Sequence, residues 1–256
     1  MQLKGKTALI SGAARNNGKA IAQTFAREGA DVILVAKSNG ELLNGVAKDC
    51  ESAGRRALPL LADMTDPAQV DNVVKQGLEK FGRIDVAVSA VGMRPHKLII
   101  DFTYEEWLAG FALNCHSLFL LTKFVAPGMK QHGGGSIIAL GGQMTIKTAP
   151  NSGLVVASKH GLWGLAKNLA RELGPDGIRV NLVNPGRIEN VRANPEWYTD
   201  KLQSKGQYSE EEIKRIPQRR VGKNQEIANA ALFLASDQSS YVSGDSIFVA
   251  GGQQIM

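Results

Sequence analysis

Lys159 sits in the stretch GLVVASKH, Gly153 to His160, among small and apolar residues, with Val155 one helical turn before it. On a helix the two share a face, so an ammonium projects where its neighbour offers no polar group. The stretch SGAARNNGKAIA puts Gly12 just after an apolar run and Gly18 at the start of a helical segment. Glycines in such a turn let backbone N–H groups approach a pyrophosphate at the positive end of the helix, although a glycine after a strand is also compatible with a plain turn. His96, in VGMRPHKL, carries an imidazole whose ordinary pKa suits proton transfer near neutrality. The competing reading is a surface-loop histidine. Arg94 beside it suits an anionic substrate or is simply exposed. Gln143 and Thr145 offer hydrogen bonds without a good acid, and His116 and His160 read as structural.

These residues need a frame, and the apolar pattern supplies one. Strand-like runs TALIS (7–11), DVILVA (31–36), ALPLLA (57–62), DVAVSA (85–90), SIIAL (136–140), IRVNLV (178–183) and SIFVA (246–250) alternate with segments of helical spacing. IAQTFAREG stops at Gly29, and Asp66-Pro67 opens VDNVVKQGLEKFG. Runs without period-two alternation fit strands covered on both faces. The order therefore predicts an α/β fold: a doubly wound parallel sheet of about seven strands with helices on both faces. Residues 187–224 hold no strand-like run, carry Trp197, Tyr198 and Tyr208, and are too long for a plain connection. They read as a substrate lid.

The chain has 256 residues, 43% of them hydrophobic and 21% charged, enough for a sizeable core in one domain, 1–256. Its first strand-like run begins at Thr7, before which no basic leader with an apolar core fits, and no apolar stretch approaches membrane-spanning length. A cytoplasmic protein is expected. Cys50 and Cys115 have neither disulfide-framework nor metal-ligand spacing and are expected as free thiols, with no metal site. The net charge of +6 raises the question of an acidic partner, but the basic residues are scattered except in KRIPQRRVGK, Lys214 to Lys223. That segment lacks interleaved aromatics, which argues against nucleic acid. It is a solvated face or a patch for an acidic carrier protein.

Combined with Asp63 in LLADMTD, FGRIDVAVSAVG, Asn114 in ALNCHSLF, NLVNPGRIEN and the C-terminal FLASDQSSYVSGDSIFVAGG, the glycine turn resembles the one-domain branch of the short-chain dehydrogenase/reductase family from end to end. The resemblance implies a Rossmann-type fold that binds a nicotinamide dinucleotide and moves hydride between it and a carbonyl or alcohol. Carried over by position, Gly12, Arg15, Asn16, Asn17 and Gly18 form the pyrophosphate loop. Lys37, Ser38, Asp63 and Met64 face the adenosine. Ala90, Gly92, Pro185, Gly186 and Ile188 line the nicotinamide half, and Asn114 and Lys159 match two of four catalytic positions. Lys159 would also donate to the ribose hydroxyls; the competing reading is a lysine snorkelling to solvent.

The other two catalytic positions depart from the family. Its Tyr-x-x-x-Lys reads Val155-Val-Ala-Ser-Lys159 here, and its serine, thirteen residues before the tyrosine, falls on Gly142. The divergent enoyl reductases place a tyrosine seven residues before the lysine, where this chain has Ser152. Further departures are Asn16 for a loop glycine, Ser89-Ala90-Val91 for Asn-Asn-Ala, and Ala250 for an aspartate. Asn16 tolerates a left-handed backbone, but its side chain is expected to crowd the phosphate site. Loss of general-acid catalysis costs roughly 10² to 10⁴ in rate, so another group must supply the proton, with His96 the candidate. Three readings follow: a redox enzyme of atypical mechanism, a lyase or isomerase in the same pocket, and a nucleotide-binding sensor or partner without turnover. The absence of a carboxylate in Ala36-Lys37-Ser38, with Arg15 and Lys37 available to bracket a 2′-phosphate, predicts NADP(H). The apolar helices at 113–129 and 152–173 predict a homo-oligomer, a tetramer or else a dimer.

Overall fold

The expected strands form, with small shifts at their ends. They are β1 (Thr7–Ser11), β2 (Asp31–Ala36), β3 (Ala57–Leu61), β4 (Val86–Ser89), β5 (Gly135–Leu140), β6 (Ile178–Pro185) and β7 (Ser246–Val249). The protein was analysed as a computed structural model, which describes residues 1–192, 194–198 and 201–255. Ala193, Thr199 and Asp200, in the segment expected as a lid, and the terminal Met256 lie outside the described residues.

The strands make one sheet in the order β3-β2-β1-β4-β5-β6-β7, with every neighbouring pair parallel. Successive residues of a strand face opposite sides, and both sides are covered. Ala8 and Ile10 of β1 join Ile21 and Phe25 of α1 (Asn16–Arg27), Leu43 and Val46 of α2 (Gly40–Ser52), and Ile227 and Ala231 of a helix at Asn224–Ala235. Leu9 faces the other layer, with Val70 and Val74 of α3 (Pro67–Phe81) and Leu121, Val125 and Leu162 of two later helices. This explains the missing alternation: every residue of β1 and β2 is buried. The edge strand β7 is only half-buried.

The local signals act as expected. Asp66 caps α3 by accepting from Ala68 N and Gln69 N, Pro67 takes the first helical position, and Gly82 ends the helix at φ 80°. The helical run Tyr104–Gln131 corrects one expectation, because its 28 residues are long and apolar enough to cross a membrane. It consists of α4 (Tyr104–Phe111), a π-helical turn at Ala112–His116, and α5 (Ser117–Gln131). Leu118, Leu121, Val125 and Met129 pack this run into the core beside α6 (Gly153–Leu173). Its apolar character belongs to a helix that lies against the sheet. Residues 187–224 include α7 (Lys201–Ser204) and α8 (Glu210–Lys214), and the following α9 is the Asn224–Ala235 helix.

Sheet order reverses between β1 and β4, and there the glycine turn meets the neighbouring strand. A β-carbon on Gly18 would lie 2.1 Å from Gly12 O, whereas one on Gly45, exposed in α2, would meet nothing within 4 Å. Gly18→Ala is therefore expected to lower stability by about 1–3 kcal/mol. Gly45→Ala is expected to raise it by about 0.5–1 kcal/mol. Urea denaturation of both variants checks the contrast.

Candidate functional site

The crevice at the carboxyl ends of β1 and β4 is held by a residue that carried no signal in the sequence. Ser11 Oγ donates to Val88 O at 3.2 Å and accepts from Ala90 N at 3.2 Å, tying the two strand ends together. Gly12 then turns at φ 69°, where a β-carbon would stand 2.8 Å from Ala90 O. Arg15 is the extended N-cap of α1 and supplies no side-chain cap. Asn16 adopts φ 48°, as a residue replacing glycine must. Its side chain corrects the expectation of a crowded phosphate site: Oδ1 accepts from Val191 N at 2.9 Å and Nδ2 donates to Val191 O at 3.0 Å. The loop is thus clamped to the 187–224 segment. The buried Oδ1 of Asn17 has no partner among the described residues.

On the β2–β3 side, Lys37 and Ser38 are exposed and Met64 is buried. Lys37 Nζ lies 2.6 Å from Asp63 Oδ2, so the two residues expected at the adenosine engage each other. Burial would raise the Asp63 pKa, but the hydrogen bond from Lys37 and two from Thr65 bring it below the usual value. A ligand phosphate at Lys37 would have to compete with this carboxylate.

Lys159 does not snorkel. It is 5% exposed, and its Nζ donates to Leu140 O, the last carbonyl of β5, at 2.8 Å. Asn114 lies in the π-helical turn, an irregularity that recurs at functional sites. Its Oδ1 accepts from Met93 N at 2.8 Å, and its Nδ2 donates to Met93 O and to Ser158 Oγ, each at 3.0 Å. A β-carbon on Gly92 would lie 3.2 Å from Asn114 Oδ1 and 3.6 Å from Lys159 Nζ. Asn114, Gly92 and Lys159 therefore converge as expected. Cys115 follows Asn114 as a buried free thiol, and Cys50 is another.

The two positions expected to carry hydroxyls hold none. Val155 is buried on α6, and Gly142 follows β5 at φ 128°, a conformation that L side chains rarely adopt. Asn184 holds that backbone: its Oδ1 accepts from Gly142 N at 2.9 Å, while its buried Nδ2 lacks a partner among the described residues. A second asparagine in the apolar stretch NLVNPG was the available sequence signal for this role. After Pro185, Gly186 packs so closely that a β-carbon would lie 2.6 Å from Gln253 Oε1. Ile188 is buried and bridges to Gly222. Gln253 also accepts from Gln143 Nε2 at 2.8 Å, and Thr145 Oγ1 donates to Gly142 O at 2.8 Å, so neither expected hydrogen-bonding residue is free.

His96 is half-buried against the 187–224 segment. Its N donates to Trp197 O at 2.9 Å, and its ring centroid lies 5.2 Å from that of Tyr198. Burial, then Arg94 and Arg192, lowers the His96 pKa, which leaves the imidazole neutral at pH 7. Tyr198 thus folds inward, whereas Tyr208 packs by its ring against Arg187, which pairs with Glu212 at 3.0 Å. His160 and His116 are exposed. In the basic segment Arg220 pairs with Glu226. A cavity of about 300 Å³ near it meets the site only through Ile188 and its neighbour Arg187.

Burial, with Arg94 nearby and weakly opposed by Cys115, lowers the Lys159 pKa from 10.5 to about 8. The unfolded chain then binds the extra proton between those two values, so the stability penalty is complete below pH 8 and fades as pH rises toward 10.5. Lys159→Met is expected to raise stability at pH 7 by an amount on the order of 3 kcal/mol, and by little at pH 10. Urea denaturation at both pH values checks this.

Known proteins resemble this chain over nearly its whole length. A family profile described as enoyl-(acyl carrier protein) reductase matches residues 12–254. The 3-oxoacyl-(acyl-carrier-protein) reductase FabG of Thermotoga maritima is 39% identical over 98% of this chain and 99% of its own length. Levodione reductase superimposes with a TM-score of 0.92 at 31% identity, covering 99% of each chain. A 7α-hydroxysteroid dehydrogenase, solved with NADH and 7-oxo glycochenodeoxycholic acid, gives 0.90 at 33% identity over 98% of this chain and 95% of that one. The family match spans residues 12–254 and so includes the glycine turn, Asn114 and Lys159, and the chain belongs to the short-chain dehydrogenase/reductase family of oxidoreductases.

Proposed function

We propose that the protein moves hydride between NADP(H) and a small carbonyl, alcohol or related substrate by a mechanism that does not use the family's tyrosine. Lys159 carries this reading: it is a buried ammonium with one acceptor among the described residues, beside Asn114 and Gly92. Its two remaining N–H donors suit the paired hydroxyls of a ribose. The chain's other groups fit the same ligand. Gly12 and Gly18 leave a cradle that β-carbons would fill, and Arg15, Asn16 and Asn17 complete the pyrophosphate loop. Lys37, Ser38, Asp63 and Met64 would hold the adenosine, and Ala90, Gly92, Pro185, Gly186 and Ile188 the nicotinamide half. The bound dinucleotide supplies or takes the hydride.

Proton movement is assigned to residues present here. In the reducing direction a protonated His96 would give its proton to the substrate oxygen, and burial, which lowers its pKa, makes that imidazolium the stronger acid. In the oxidising direction the same imidazole, neutral, would take the proton back. Asn114 holds the backbone of Met93, three residues before His96. Without any acid the rate would fall by roughly 10² to 10⁴. A second reading draws on the lack of hydroxyls at Gly142 and Val155: a lyase or isomerase in the same pocket, or a nucleotide-binding sensor or partner without turnover.

The remaining assignments belong to the same reading: one domain, 1–256, with 187–224 as its substrate lid, assembled as a cytoplasmic homotetramer or else a dimer. An acidic carrier protein is a further partner, in keeping with carrier-protein reductases among the relatives. Its docking residues would be Lys214, Arg215, Arg219 and Arg220, of which Lys214 is paired to Glu210 and Arg220 to Glu226. Nucleic acid and membrane are not proposed as partners.

Val155→Tyr places a phenol one turn before Lys159 and is expected to raise NADPH-dependent reduction of simple ketones by about 10² or more. Adding Gly142→Ser is expected to cost about 1–3 kcal/mol of stability, because serine must adopt the left-handed backbone. NADPH absorbance and urea denaturation give the two readouts. If neither the unmodified protein nor Val155→Tyr consumes NADPH with any ketone, the redox reading is lost.

Cofactor choice has its own test. Arg15→Ala with Lys37→Ala is expected to abolish a preference for NADPH over NADH in fluorescence titrations. Arg15→Ala alone should remove most of it, since Lys37 is already engaged by Asp63. Equal affinities in the unmodified protein would refute the NADP(H) assignment.

A further inference from the structure

Cationic side chains from two separate segments lie near His96. Arg94 stands two residues after Gly92, whose β-carbon position is 3.6 Å from Lys159 Nζ, and two residues before His96. From the 187–224 segment, the Arg192 guanidinium packs 4.3 Å above the Tyr198 ring, and its Nη1 donates to Tyr198 Oη at 2.9 Å. Tyr198 in turn packs on His96. Arg192 spends Nη1 and Nε on neutral partners, Tyr198 Oη and Gln203 O, which leaves Nη2 uncommitted among the described residues. Among the described residues no carboxylate lies within ion-pair distance of Arg94 or Arg192, although nearby cations such as Lys97 and Arg187 each have one. The charged neighbours that act on the His96 imidazole are both arginines, and Arg94 also acts on Lys159.

The geometry points to an oxyanion subsite formed by Arg94 and Arg192, with His96 and Tyr198 between them, that selects substrates carrying a carboxylate or phosphate a few atoms from the reacting carbon. This rests on the proposed redox use of the Lys159 crevice and adds the substrate class to it. Two guanidiniums with no carboxylate partner among the described residues attract an oxyanion, and each presents a planar fork to it. A neutral ketone would leave both charges without a counter-charge as it covered them, a cost that an oxyanion removes. The Tyr198 ring packs between the Arg192 guanidinium and the His96 imidazole. Arg192 also explains why the 187–224 segment bears on specificity: it brings the second cation to a site that the β4 loop supplies with only one.

Binding is measured by calorimetry on the intact protein saturated with NADP⁺, so that dinucleotide phosphates do not enter the comparison. The probes are 4-oxopentanoate, its methyl ester, and dihydroxyacetone phosphate. At least one anion is expected to bind about tenfold or more tightly than the ester, with the preference reduced in Arg94→Gln or Arg192→Gln and gone in the double variant. Arg192→Lys should recover only part of it, because the fork is lost. The carboxylate and phosphate arms tell which oxyanion fits. Ester and both anions binding alike, or a double variant that keeps the preference, overturns the subsite. The redox reading is judged separately by NADPH consumption: neutral ketones reduced as fast as oxo acids sink the subsite and leave that reading intact, whereas anion preference without hydride transfer sustains the subsite and removes the redox reading.

Discussion

Taking one ammonium out of water organises the site. Lys159 is buried on α6 with a single carbonyl partner, and its ordinary preference for the charged form is weakened to a pKa of about 8. A charge in that state constrains everything near it. Leu140 must end β5 with its carbonyl turned toward α6. A β-carbon at Gly92 would press on Asn114 Oδ1 at 3.2 Å and touch Lys159 Nζ at 3.6 Å. Asn114 must reach Met93 from the neighbouring helix, and the π-helical turn that breaks Tyr104–Gln131 is where it does so. A ligand-free protein of this kind is less stable for having the lysine, which is the usual mark of a residue retained for binding or chemistry.

The same constraint bears on the two absent hydroxyls. Val155 covers the face that precedes the lysine, so the desolvation of Lys159 is maintained by an apolar neighbour. Gly142 has taken a backbone conformation suited to glycine, held there by Asn184. The two replacements differ in consequence. A tyrosine at 155 asks only for room on a helix, whereas a serine at 142 asks the chain to leave a left-handed conformation or bear its strain. The structure has adapted around glycine at one position more deeply than around valine at the other.

Much of the frame was legible because it rests on short-range rules. Unalternating runs such as DVILVA mean burial on both faces, and Asp66-Pro67 and Gly82 bound a helix by cap chemistry wherever they occur. Gly12 and Gly18 announce a turn too tight for β-carbons. The one misreading of scale, the helical run Tyr104–Gln131, arose because apolar residues are counted along a chain while their burial against a sheet is not.

From its sequence alone the protein is determined to be a doubly wound α/β chain with a glycine turn, an asparagine and a lysine in the order of its family, and with valine and glycine where hydroxyls are expected. Periodicity, caps and motif spacing are local along the chain, so they are written in it directly. The tertiary structure decided which side chains had spare hydrogen-bonding capacity. Asn16 spends its amide on Val191, Lys37 spends its charge on Asp63, and Gln143 is taken by Gln253, while among the described residues Lys159 keeps two donors and Arg94 has no ion-pair partner. Such pairings join residues as far apart as 16 and 191, across segments whose approach depends on the packing of the whole sheet. No local pattern encodes them.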